Sequence, residues 1–336
     1  MTKRTISFSS ASVNYYFDAD FSFLEKIVSR EDAVIITDEN LYKSHTKKFS
    51  GWRVITIPAG EQHKNQHTVD TIIDQLIELH ADRQAFLVGV GGGVITDITG
   101  YVAAVYMRGI RCGYVPTSIL AMVDAAIGGK NGVDVGLYKN MVGIIRQPNF
   151  LLYDYSFLKS LPTSEWINGF AEVIKHACIK DAPMFKLLEE NKLSSFQKDK
   201  ELLSKLIQRN ALLKSKVVAN DEFEHGERKI LNFGHTIAHA IENLYQIPHG
   251  HAVSIGMGVA CKIGEQINGF SEASRVTSLL KKYGLPPQFD YDKEQTLKLL
   301  RVDKKKEKDS INYILLHKIG KPYIKSLPFT EIETYI

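Results

Sequence analysis

The chain has 336 residues, of which 44% are hydrophobic and 24% charged, enough for two domains with real cores. Its formal net charge of +4 is too small to argue for nucleic acid, although it suits anionic small molecules. Cys112, Cys178 and Cys261 are scattered with no C-x-x-C pair, which predicts a reducing, cytoplasmic setting and no disulfide frame. The N-terminal MTKRTISFSS lacks the apolar core of a signal peptide, and no run approaches the roughly 20 apolar residues that cross a bilayer.

From residue 1 to about 160, strand and helix signals alternate. Ala33–Ile36 is a short apolar strand ending in the polar turn Thr37-Asp38-Glu39-Asn40. Val54–Ile57 is the next strand, and it runs into PAGEQHK (Pro58 to Lys64). Asp70 to Leu79 carries Ile72, Ile73, Leu76 and Leu79 at helical spacing. The stretch AFLVGVGGGVITD, Ala85 to Asp97, then reads as a buried parallel strand closing on Gly91-Gly92-Gly93. Glycines allow a sharp turn and close approach of a ligand, and a helix begun at Thr96 or Asp97 would aim free N–H groups at a diphosphate. The spacing is not G-x-G-x-x-G, and a turn without ligand has the same local pattern.

Arg108, VPTS (Val115 to Ser118), VDAAIGGKNGV (Val123 to Val133) and YKNM (Tyr138 to Met141) follow. Asp124, Lys130, Lys139 and Asn140 are polar groups among small and apolar neighbours, an arrangement suited to an anionic ligand. Alternating strands and helices predict a parallel sheet that binds a nucleotide cofactor beyond the carboxyl ends of its strands. Glu61 and Lys64 stand on that edge and would reach ribose or phosphate.

The pattern changes near Leu161-Pro162. From there to about Val302 it is almost wholly helical, which predicts an α/β domain over residues 1–160 and an α-helical domain over 161–336. Leu202 to Val218 is a long amphipathic segment, Ile311–Leu316 and Lys321–Leu327 flank a turn and predict a hairpin, and Lys304 to Asp309 is a charge run.

Three helical stretches carry unusual side chains. In NGFAEVIKHA, Asn168 to Ala177, Glu172 and Lys175 share one helix face among apolar neighbours, and a buried Glu needs a cation or a donor. In LNFGHTIAHAIE, Leu231 to Glu242, His235 and His239 lie four apart. PHGH, Pro248 to His251, opens a third helix. One Glu and two His would make a three-ligand zinc site with an open position, and spacing alone does not say which two histidines bind. The absence of H-E-x-x-H excludes a zincin protease. Lys214, Arg228 and Asn232 add cations and donors for carboxylate or phosphate.

These motifs, in the order GGGVITD, YMRG, VPTS, VDAAIGGKNGV, YKNM, NGFAEVIK, DEFEHGER, LNFGHTIAHAIE and HGHAVSIGM, resemble those of the 3-dehydroquinate synthases among the sugar-phosphate cyclases, from about Asp38 to Lys306. The resemblance implies an NAD-binding α/β domain, a helical metal-binding domain, an active site in the cleft, and a homodimer. It implies conversion of 3-deoxy-D-arabino-heptulosonate 7-phosphate to 3-dehydroquinate and phosphate, through transient oxidation by NAD, phosphate elimination, re-reduction, ring opening and aldol closure. By motif match, Glu172, His235 and His249 are the zinc (or cobalt) ligands. Cofactor contacts fall on Asp38, Glu61, Lys64, Gly92, Gly93, Val94, Asp97, Thr117, Ser118, Asp124, Lys130, Lys139, Phe157 and Ser160. Substrate contacts fall on Asp124, Lys130, Lys139, Asn140, Asn168, Lys214, Arg228, Asn232, His239, Lys304 and Lys305, and on Arg108, which in the family reaches the neighbouring subunit's site. Catalytic roles fall on Lys130, Lys175, Glu224 and His239.

The chain departs from the family pattern at Thr96 (usually Gly), Ser118 (usually Thr), Ala238 (usually Gly) and His251 (usually Glu). The last removes a negative charge close to the second histidine ligand. A heptulosonate carries a carboxylate that the substrates of the antibiotic-pathway cyclases lack, and Lys130, Lys214 and Arg228 would clamp it. The alternatives are another cyclase of the inosose or valiolone type, a metal-dependent polyol or glycerol-phosphate dehydrogenase, and a non-catalytic nucleotide-binding protein. The intact Glu172, His235 and His249 set argues against the last.

Overall fold

In the computed structural model, residues 1–136, 138–303 and 310–335 are described, the side chains of 301–303 excepted. The chain divides into two compact units, Met1–Glu165 with Ser204–Phe223, and Trp166–Leu203 with Glu224–Ile336. The segment 204–223 therefore packs with the α/β unit, although its own periodicity is helical.

The first unit is built on a seven-stranded sheet. Its strands are β1 (Thr2–Ser7), β2 (Ser12–Phe17), β3 (Ala33–Asp38), β4 (Arg53–Ile57), β5 (Phe86–Gly91), β6 (Arg111–Pro116) and, past the small antiparallel pair β7 (Lys130–Val135) and β8 (Tyr138–Ile145), β9 (Phe150–Leu152). The order is β1-β2-β9-β6-β5-β3-β4, parallel throughout except for β1 against β2. Strand β5 is interior and buried at every residue, which is why it reads as an uninterrupted apolar run. An aromatic cluster including Phe21, Phe49, Trp52, Phe86, Phe150 and Phe157 forms much of the core on one side of the sheet.

The turn after β5 differs in detail from the sequence expectation. The helix starts at Gly93 and runs to Val105, with Gly92 as its N-cap, so Thr96 and Asp97 lie inside it. Thr96 Oγ1 instead donates to the Gly93 carbonyl at 3.0 Å. After Leu120 the chain makes a π-helical turn, Ala121–Ala125, that carries Asp124.

The second unit is rich in helices. Three of them matter for the site: Thr163–Lys180, which begins just before the unit boundary, His235–Tyr245 and His249–Asn268. The last two cross closely because small residues line the crossing. A Cβ on Gly256 would lie 1.8 Å from the Gly234 carbonyl oxygen; Gly250, in the same helix, packs instead on Thr163–Lys180, where a Cβ would lie 2.2 Å from the Asn168 carbonyl oxygen. The expected hairpin forms as β10 (Ser310–Lys318) against β11 (Lys321–Pro328). No helix among the described residues is long and apolar enough to cross a membrane.

Candidate metal centre and cofactor seat

In the first unit, the helix that begins at Gly93 presents its N-terminal N–H groups beside Gly92 and Val94, with no side-chain cap competing for them. Thr117 N–H donates to the Gly91 carbonyl at 2.9 Å, which holds the Thr117-Ser118 turn against the glycines. Ser118 Oγ accepts from Ala121 N–H at 3.2 Å and so starts the π turn.

Asp97, one turn into this helix, pairs with Lys64 at 2.5 Å, and both side chains are largely buried. Lys64 Nζ also donates to Asn140 Oδ1 at 2.6 Å. Asn140 adopts a left-handed backbone (φ 52°) and its N–H donates to Asp134 Oδ1 at 2.6 Å. Lys139 reaches Glu61 at 3.3 Å. Burial opposes the charge on Lys64, but the carboxylates of Asp97 and Glu61 overcome it and raise its pKa. Burial lifts the Asp97 carboxyl above its usual range, with Lys64 the main opposing influence. Lys214 pairs with Asp124 at 2.8 Å and donates to its carbonyl at 2.7 Å. PAGEQHK, GGGVITD and YKNM, far apart in sequence, thus meet in one charged network.

The other expected residues also have contacts or positions of their own within the fold. Asp38 caps the helix Glu39–Ser44 by accepting from Leu41 N–H at 2.9 Å. The Phe157 ring is core, edge-on to Phe21 and His45, and Ser160 hydrogen-bonds His45 at 2.7 Å. Lys130 is exposed at the start of β7. Arg108 is exposed within three consecutive left-handed residues, Met107 to Gly109. Lys304 and Lys305 lie outside the described residues.

In the second unit, Glu172 is fully buried in the helix Thr163–Lys180, where burial of an ionised carboxylate requires positive partners. Lys175, three residues on, contacts Glu172 Oε2. Oε1 lies 3.5 Å from His235 Nε2 and 3.4 Å from His249 Nε2. Ligand atoms of the three residues all lie within 4.8 Å of one another. A tetrahedral cation with bonds of about 2.1 Å requires its ligand atoms about 3.4 Å apart, so the carboxylate-to-imidazole spacings already fit such an ion.

The second nitrogens of the rings are also held. His235 Nδ1 faces the Phe233 carbonyl at 3.3 Å, and His249 Nδ1 faces Glu242 Oε2 at 3.2 Å. A carbonyl and an ionised carboxylate only accept, so both partners place the proton on Nδ1 and leave Nε2 for the cation. Burial, helped by the Lys175 charge, pushes the His235 pKa well down. For His249 burial acts in the same sense, but hydrogen bonds to Glu172 and Glu242 prevail and raise its pKa to about 10. A divalent cation held by His249 would take the place of its Nε2 proton.

The surrounding residues complete the site. The His239 ring stands 5.5 Å from that of His235 and nearly perpendicular to it. Asn232 donates to Glu224 at 2.7 Å, and Arg228 is buried. Asn168 Oδ1 accepts from Gly250 N–H at 2.5 Å, so it holds the first turn of the helix that begins with His249. His251 is half-buried and burial lowers its pKa, so it restores none of the negative charge that a glutamate would supply there. Sequence reasoning missed Glu242. Its signal was its spacing, seven residues after His235 and three after His239 on one helix face.

Comparison with known proteins identifies the relatives of the chain. Residues 54–168 match the family model of the 3-dehydroquinate synthase N-terminal domain, and residues 169–306 that of the C-terminal domain. The chain is 38% identical over 304 residues to a 3-dehydroquinate synthase of Pyrococcus furiosus, covering 88% of each. It is 42% identical over 276 residues to one of Thermodesulfovibrio yellowstonii, covering 80% of this chain and 77% of the relative. Among solved structures, it is similar to a 2-deoxy-scyllo-inosose synthase complexed with carbaglucose-6-phosphate, NAD+ and Co2+ (TM-score 0.85, 26% identity, 99% of each chain). The fold is also that of a Streptomyces hygroscopicus 2-epi-5-epi-valiolone synthase with NAD+ and Zn2+ bound (TM-score 0.89, 24% identity, 99% of this chain and 98% of that one). With both halves of the sequence matched and identity sustained across most of its length, this chain belongs to the 3-dehydroquinate synthase family.

Proposed function

We propose that the chain is a 3-dehydroquinate synthase, a carbon–oxygen lyase of the cytoplasm. It converts 3-deoxy-D-arabino-heptulosonate 7-phosphate to 3-dehydroquinate and phosphate with NAD and a zinc or cobalt ion. The observation that carries this reading is the convergence of Glu172, His235 and His249 at spacings that fit one divalent cation, in a chain of this family. NAD supplies reversible hydride acceptance, and the cation supplies Lewis acidity toward the substrate's hydroxyls.

The chain's own residues do the rest. Glu172 Oε1 and the two Nε2 atoms would hold the cation, and Lys175 balances the buried charge of Glu172. Lys64, Asp97 and the N–H groups after Gly92 form the seat for the cofactor. Lys130, Lys139, Asn140, Lys214, Arg228 and Asn232 are the groups for the substrate's anionic and hydroxyl atoms. Lys304 and Lys305, outside the described residues, are the further candidates for the phosphate. His239, a turn beyond His235, carries the proton lost beside the phosphate, and Glu224 with Lys175 assists. Most of the later steps require positioning more than strong acids and bases, which accounts for a site rich in cations.

The working form is a homodimer. The β7–β8 hairpin exposes Val135, Met141, Val142 and Ile144, of which Val142 and Ile144 share a face of β8 that a second copy would cover. Arg108 then reaches the neighbouring site.

The test supplies the heptulosonate phosphate and measures phosphate and 3-dehydroquinate, with and without a chelator. The expected result is phosphate release without net NADH, abolished by chelation and restored by Zn2+ or Co2+. Net NADH formation, or activity only on a sugar phosphate lacking a carboxylate, overturns the reading.

A further inference from the structure

We infer that Glu242 is a positioning residue of the metal centre, acting on the cation through His249. The inference rests on the proposed metal-dependent function and adds a residue to its machinery. Glu242 is 6% exposed, on the last full turn of the helix His235–Tyr245. A glutamate so placed is normally solvated. Here its Oε2 meets His249 Nδ1 at 3.2 Å, while Nε2 of the same ring faces Glu172 Oε1 at 3.4 Å.

The two imidazoles are therefore held differently. His235 is oriented by a main-chain carbonyl two residues away, which no substitution removes. His249 is the first residue of its helix, preceded by an exposed proline, so its main chain does less to fix the ring. A carboxylate behind it fixes both tautomer and rotation, and its charge strengthens Nε2 as a donor. The geometry also explains the spacing. His235, His239 and Glu242 occupy positions i, i+4 and i+7 of one face, so one helix delivers a ligand, a neighbouring imidazole and the carboxylate that steers the other ligand.

The test compares the full-length protein with Glu242→Gln and Glu242→Asp. Gln retains the acceptor and the shape but not the charge; Asp retains the charge with a shorter reach. Zn2+ affinity is measured by competition with a chromophoric chelator, the visible spectrum is recorded with Co2+ bound, and thermal unfolding is followed without metal. Glu242→Gln is expected to weaken Zn2+ binding by about 10- to 100-fold, the range for loss of such a partner, to shift the Co2+ bands, and to leave the metal-free Tm within a few degrees. Glu242→Asp is expected to recover part of the affinity. Zn2+ affinity of Glu242→Gln within twofold of the parent, or an unchanged Co2+ spectrum, overturns the inference. Should Glu242→Gln fail to fold, the comparison of Glu242→Asp with the parent decides by the same readouts. Failure of the parent itself to bind Zn2+ would refute the metal-dependent function instead, so the two ideas fail separately.

Discussion

Replacing Lys64 with methionine keeps most of the stem and removes the ammonium from a buried network. Only 6% of the Lys64 side chain and 16% of the Asp97 side chain are exposed, and their charges meet at 2.5 Å. Breaking a buried pair by removing one partner costs about 3–5 kcal/mol, because the other charge stays behind. The Lys214 charge also acts on Asp97, which favours the lower end of that range. Set against a total stability of about 5–15 kcal/mol, the loss is readily measured. Its pH dependence is the sharper test. Burial already raises the Asp97 pKa above 3.8, and Lys64 is what restrains it, so Lys64→Met raises it further. An acid whose folded pKa exceeds its unfolded one contributes stability that is complete below the unfolded value and lost as pH rises through the folded pKa. The deficit of Lys64→Met should therefore be largest near pH 8 and smaller near pH 5. Urea unfolding of the parent, Lys64→Met, Asp97→Asn and the double variant, without metal or cofactor, measures both the deficit and the coupling. The double variant should recover part of the loss. A Lys64→Met deficit below about 1 kcal/mol at pH 8, outside the stated range, or one equal at both pH values, would refute the reasoning.

Other outcomes follow from the same structure. Glu222 accepts from Ser10 N–H at 2.9 Å and from Gln147 at 2.8 Å, and also from the Ser9 and Ser10 hydroxyls. Burial opposes its charge, yet these donors lower its pKa from 4.5 to about 2. Glu222→Gln should cost about 1–3 kcal/mol at pH 7, and the gap from the parent should close as pH falls from 4.5 through about 2, read by denaturant titration at each pH. Gly256→Ala forces a methyl to 1.8 Å from the Gly234 carbonyl, so it should cost about 1–3 kcal/mol or more and weaken Zn2+ binding in a chelator competition. Val142→Asp with Ile144→Asp should shift the protein from dimer to monomer in sedimentation, with the circular dichroism of the fold retained.

How much could be read in advance depended on how local the physics is. Strand β5 was legible because it is buried on both faces, and its glycines punctuate it. The start of the next helix was placed too late, since polar side chains are the commoner caps and here Gly92 takes that position. The β7–β8 hairpin escaped notice because β8 is exposed or half-exposed along its whole length, so no alternation of apolar and polar residues marks it. Strand β9 has only three residues. At the metal centre, spacing placed His235 and His239 on one face, whereas resemblance to a family selected His235 and His249. The coordinates bring those two to Glu172 and leave His239 beside them. Asn168 has a task that its motif does not record: its side-chain oxygen accepts from the main-chain N–H of Gly250. Glu242 ends the stretch LNFGHTIAHAIE, yet an acidic residue near a helix end gives no local sign of burial.

The glycine-lined crossing that sets Gly234 against Gly256 has a consequence for the choice of ion. Calcium takes about six to eight oxygen ligands, whereas two imidazole nitrogens stand 3.5 and 3.4 Å from a single carboxylate oxygen here. Admitting further donors between the two histidine helices means prising them off a backbone-to-backbone contact and opening a void along their seam. Discrimination against alkaline-earth ions therefore follows from donors that are few and mostly nitrogen, which the packing of the helices keeps few.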